Sequence, residues 1–110
     1  MESRTPIEDQ RADLLIDNPD IFTGYARRTT QYFRQLELWL AERGETDGLT
    51  ALASIPQLPE SIRTLENTAP RLDSLRVHEK HEVYTNLTLA EDSMKLFQES
   101  YPEFRPAPNS

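Results

Sequence analysis

The sequence predicts an all-α protein: a small helical bundle with two long antiparallel helices, at about 19–43 and 70–101, shorter helices beside them, and a homodimer as the assembled form. Three observations predict it. Apolar residues recur at spacings of three and four almost throughout, and the alternation of a half-buried strand is absent. The punctuation is helical: eight prolines against only three glycines, with Pro6 and Pro19 each following a capping residue, as at the first position of a helix. Finally, Val83, Leu87, Ala90, Met94, Phe97 and Tyr101 step by 4, 3, 4, 3 and 4, the spacing of a helix packed along another helix.

The elements follow in order. Thr5-Pro6-Ile7-Glu8 has the form of a capping box, with Ile7, Leu14 and Leu15 on one face of a short helix over about 7–17; its leading charges make residues 1–18 a solvated arm or short helix. Asn18-Pro19-Asp20 repeats the start signal, with an acid in the first turn. From there Ile21/Phe22, Tyr25, Thr29, Tyr32/Phe33, Leu36 and Trp39/Leu40 form the clearest stripe in the chain, and Gly44 supplies a left-handed stop. Four aromatic residues, the only Trp among them, lie between 25 and 39, which makes this helix central. After the polar turn Gly44–Gly48, residues 49–55 form a short helix stopped by Pro56 and Pro59. A helix over 59–68 carries Ile62 and Leu65. Pro70 disfavours α geometry at Ala69 and marks a break or kink. A second long helix runs over 70–101 and ends at Pro102. The single helical domain spans 19–101, and 102–110 is a Pro-rich flexible tail.

Helix lengths and composition point to a second chain. At 1.5 Å per residue the long helices measure about 37 and 48 Å, so the second overhangs the first and carries apolar residues with it. Hydrophobic residues make up 36% of the chain, below the roughly 45–50% usual for a globular domain. A thin bundle with an apolar overhang asks for a partner, hence the homodimer or a heteromeric contact.

Charge and cysteine content exclude several function classes. Twelve Lys+Arg against nineteen Asp+Glu leave a net charge of −7, which argues against a generic nucleic-acid binder and against anionic lipid surfaces. With no cysteine, disulfides, thiolate zinc sites, iron–sulfur clusters and cysteine nucleophiles are excluded. The first residues lack an apolar signal core, and no stretch approaches the ~18 apolar residues of a membrane span. The expected location is the cytoplasm.

The residues singled out for protein binding are Tyr25, Arg28, Tyr32, Phe33, Leu36 and Trp39 on the first long helix and Val83, Leu87, Met94, Phe97 and Tyr101 on the second. Tyr, Trp and Arg are the types enriched at interface hot spots, and Met packs adaptably at such surfaces. The competing assignment is a core stripe flanked by salt-bridging arginines. Arg27, Arg28 and Arg34 interleaved with aromatics also suit single-stranded nucleic acid, against the overall charge. His78-Glu79-Lys80-His81-Glu82 holds both histidines, at i and i+3, one residue short of the His-Glu-x-x-His zinc pattern; Asp73 and Glu82 are the nearest third ligands, and a solvated helical face is the simpler reading. Asn86-Leu87-Thr88 matches a glycosylation acceptor inside a predicted helix and is read as chance. No phosphate loop or nucleophile elbow occurs. The expectation is a non-enzyme with no cofactor and no metal: a small acidic interaction protein acting stoichiometrically as regulator, antagonist (an anti-activator of a transcription factor, for example) or adaptor of a protein with a basic surface. The alternatives are a secretion or assembly chaperone and, from another class, a metal-binding bundle or small helical enzyme using His78 and His81.

Overall fold

The computed structural model describes residues 6–106, with side chains from residue 10 onward. Thr5, Ile7 and Glu8, the expected capping box and first apolar position, therefore lie outside the described side chains, as do residues 107–110 of the tail. Five α-helices follow one another: α1 (Pro6–Asp17), α2 (Pro19–Glu42), α3 (Thr46–Ser54), α4 (Leu58–Thr68) and α5 (Val77–Ser100), with a 3-10 segment over Ala69–Ser74 between α4 and α5. There is no strand among the described residues.

Local chemistry sets the joints. Asn18 separates α1 from α2, but its side chain faces backwards: Nδ2 donates to the Leu14 carbonyl at 2.7 Å. The residue predicted to cap the start of α2 thus closes the end of α1, and α2 opens on Pro19, whose missing N–H needs no partner there. At the other end Gly44 takes φ +68°. Its N–H reaches the Ala41 carbonyl at 3.2 Å, and the Glu45 N–H reaches that of Leu40 at 2.9 Å, a Schellman stop. Helix α3 starts at Thr46, three residues before the predicted position. Ile55 is extended ahead of Pro56, as the residue before proline must be.

The second long helix is shorter than the sequence predicts. Pro70 leaves a 3-10 segment with Arg71 at φ −134°, and Leu75 and Arg76 are extended. Helix α5 begins only at Val77, its first turn closed by the Glu79 carboxylate, which accepts from the Arg76 N–H at 2.8 Å. Both long helices therefore have 24 residues and about the same length, near 36 Å. The overhang that called for a second chain does not exist.

The direction of α5 is also corrected. Helices α2 and α5 run parallel, not antiparallel. Ring pairs climb both helices in step: Phe22–Tyr84 at 6.4 Å, Phe33–Phe97 at 6.0 Å and Trp39–Tyr101 at 5.9 Å between centroids. Helix α4 supplies the missing reversal. It descends α2, with the Thr23 hydroxyl donating to the Ala69 carbonyl at 3.0 Å and Arg34 bonded to Glu66. It also packs along α5, where Ser61 Oγ meets Asn86 Oδ1 at 2.8 Å. With a full return segment between them, the first and third long passes must point the same way.

The core lies between these helices. Phe22, Phe33, Leu36, Leu40, Leu58, Leu65 and Leu87 are fully buried. All nine aromatic side chains of the sequence are buried or half-buried within the one copy, so the rings do not demand a second copy to cover them. Part of the predicted flexible tail is fastened down. Phe104 is 9% exposed, with its ring 5.3 Å from Tyr32 and 5.4 Å from Trp39. Burial of the ring offsets part of the chain entropy lost in ordering residues 101–104. No helix is long and apolar enough to cross a membrane among the described residues.

Candidate functional site

One face of α2 carries Tyr25, Arg28, Tyr32, Gln35 and Trp39, continued by Arg43 just past its end, at steps of three and four, beside Glu91, Met94 and Gln98 of α5 and Tyr101 just past its end. Ring pairs close the seam between the two helices at several levels. Part of it, from Tyr25 to Gln35, stays open as a groove of about 430 Å³, with Arg28, Tyr32 and Met94 in its walls and Pro106 at its margin.

The charges at the groove are not equivalent. Arg11 of α1 crosses to α5, where its Nη2 donates to both oxygens of Glu91 at 2.9 and 2.8 Å. Its guanidinium lies 5.5 Å from the Tyr25 ring centre and 5.6 Å from that of Tyr84. Burial works against the Arg11 charge, but the hydrogen bond and charge of Glu91 outweigh it and hold the group above its ordinary value. Glu91 is thereby neutralised locally. Arg28 lies over Tyr25 at 4.6 Å, and no described residue gives its N–H groups an acceptor. At the far end Arg43 lies over Trp39 at 4.4 Å. Both arginines are exposed, and an arginine resting on a ring can keep its capacity to bind carboxylates in fork geometry.

Tyr32 is the polar anomaly of the site. The residue is 3% exposed, and its buried hydroxyl has no hydrogen-bond partner. Burial pushes the phenol up to about 12. An unsatisfied buried hydroxyl costs about 1–3 kcal/mol, and the T-shaped contacts of its ring with Phe33 and Phe104 offset part of this.

Of the residues predicted from sequence to bind a partner, the structure brings Tyr25, Arg28, Tyr32 and Met94 together at the groove and sets Trp39 against Tyr101 beyond it. Phe33, Leu36, Val83, Leu87 and Phe97 are core residues, each at most 4% exposed, as is Tyr32 at 3%, which also lines the groove. The heptad-like seam marks packing of α5 inside the chain. Arg11, Arg43, Glu91 and Pro106 were missed. Arg43 was legible as the residue one turn past Trp39; the Arg11–Glu91 pair joins positions 80 residues apart and has no local signal.

His78 and His81 are exposed on the first turns of α5. Among the described residues no three His, Asp or Glu converge as metal ligands, so Asp73 and Glu82 do not complete a site with them. Asn86 is held by Ser61 and donates to the Glu82 carbonyl at 2.9 Å, which gives it a packing role. Arg34 is paired, with Nε and Nη2 each 2.7 Å from a Glu66 oxygen, and belongs to the joint between α2 and α4. Compared with known protein families, curated proteins and solved structures, the chain matches none of them.

Proposed function

We propose that this chain is a small acidic binding protein of the cytoplasm that acts stoichiometrically on another protein, as regulator, antagonist or adaptor, through the open seam of α2 and α5. The observation that carries this reading is the pair of arginine-on-ring posts, Arg28 on Tyr25 and Arg43 on Trp39. They stand about 21 Å apart along one helix face. The rings are half-buried and so already rigid, and the guanidinium edges are free to bond across an interface. Rigid aromatic anchors and arginine dominate hot spots because little side-chain entropy is lost when they are covered. The net charge of −7 steers encounters toward a basic partner and raises the on-rate at low salt. One ground for the expected homodimer, the unequal helices, is removed by helices of equal length; the partner is read here as a different protein.

Affinity capture from the native host, compared between wild type and the Arg28→Glu/Arg43→Glu double variant, tests this. A protein held by wild type in fixed ratio and lost from the variant supports the reading. Capture of the same proteins by both forms overturns it.

A further inference from the structure

We infer that the groove between α2 and α5 is a binding site for a small organic anion, a single carboxylate on an aromatic or branched apolar body. Its volume of about 430 Å³ lies within the range of sites that enclose small ligands, roughly 300–1,000 Å³. Its lining side chains are mostly polar, and Arg28 is the cation among them. Arg28 offers an N–H edge without an acceptor while its face rests on Tyr25, so the guanidinium is oriented before a carboxylate arrives. Glu91, the acid that would repel an anion there, is neutralised by Arg11 through both of its oxygens.

The body of the ligand meets a different surface. Met94 has a long, unbranched side chain that adjusts to an apolar shape. Tyr32 also lines the wall, while its hydroxyl is closed off from the groove. With Arg28 uncompensated among the described residues and a net charge of −7 on the chain, a monoanion fits and a polyanion such as a nucleotide does not. This inference does not depend on the protein-binding reading: failed partner capture leaves it standing, and a failed titration leaves that reading standing.

The test is a ¹⁵N–¹H NMR titration of the full chain with naphthalene-2-carboxylate, its neutral carboxamide and a capped Asp-Phe dipeptide. Expected are saturating shifts for the carboxylate, confined to residues 25–35 and 91–98, with a Kd of roughly 1 mM or tighter for a body this size. The carboxamide should bind at least about tenfold more weakly, and Arg28→Gln should weaken the carboxylate by a similar factor. Met94→Trp, which fills the groove, should abolish binding; its spectrum reports whether the fold is kept. Arg27→Gln, the same charge change on the neighbouring exposed residue, should leave binding intact. No saturable shift with the carboxylate, equal binding of carboxamide and carboxylate, or equal loss in Arg27→Gln and Arg28→Gln would each overturn the inference, and binding by the dipeptide as well would support it.

Discussion

Arg28 and Arg34 sit six residues apart on α2 and have opposite fates. On the α4 flank, Arg34 is bonded to Glu66 through two nitrogens at 2.7 Å, with Glu37 a further 3.6 Å from its Nη1. On the α5 flank, Arg28 lies over Tyr25 and meets no acid among the described residues, while the nearby Glu91 is taken by Arg11. Packing differs in degree between the two sides. The α4 side buries Ile62 and Leu65 and keeps an opening of about 190 Å³ beside Arg34, whereas the α5 side keeps a groove of about 430 Å³ and an unpartnered Tyr32 hydroxyl. Where the polar groups satisfy one another, the flank joins helices; where a cation and a buried hydroxyl lack partners among the described residues, the flank is the one on which the proposed binding rests.

The largest effect should come from removing what both flanks rest on. Phe33→Ala deletes a ring that is 2% exposed and in edge contact with Tyr32 and Phe97. The expected loss is about 3–5 kcal/mol in urea unfolding. A loss below about 1 kcal/mol would show that the two flanks do not share one core. Next is Gly48→Ala, where α3 crosses the top of the seam. An added Cβ would lie 2.6 Å from the Tyr101 hydroxyl and 2.9 Å from Leu40 Cδ2, costing about 1–3 kcal/mol despite the better helix propensity of alanine. An unchanged melting temperature would mean that α3 sits further off.

The groove flank should respond in the opposite direction. Tyr32→Phe removes a hydroxyl that nothing satisfies, so the variant should be more stable by about 1 kcal/mol. Its pH dependence follows from the raised phenol. Wild-type stability from this group is complete below the ordinary tyrosine value near 10 and falls as pH rises toward about 12, because the unfolded chain ionises first. The variant should lose that part of the alkaline slope. A destabilised Tyr32→Phe would reveal a partner for the hydroxyl and close the groove flank as a site.

The smallest effect belongs to the satisfied flank. A double-mutant cycle of Arg34→Ala and Glu66→Ala should give under about 1 kcal/mol, decreasing with salt, since the pair is largely solvated. The Arg34 hydrogen bond, aided by its charge, holds the Glu66 carboxyl below its ordinary value. Its stabilisation is therefore present above the unfolded carboxylate range and lost as pH falls through the lower folded value. A coupling as large at pH 2 as at pH 7 would remove charge from the explanation.

The helical character, the stops at Gly44 and Pro56 and the break at Pro70 were written locally. Proline geometry, glycine φ and apolar period act within a few residues and need no knowledge of the rest of the chain. The stripe through Tyr25, Tyr32 and Trp39 was legible for the same reason, and Arg28 with it. Tertiary structure alone decided which stripe residues face inward, because burial is a property of neighbours. Phe33 and Leu36 share a helix with Tyr25 but went to the core. It also decided the direction of α5, since the parity of reversals depends on α4 returning along α2 instead of merely covering it. The Arg11–Glu91 pair, the capture of Phe104 and the isolation of the Tyr32 hydroxyl join residues far apart in sequence, and short-range spacing carries no trace of contacts made across a folded chain.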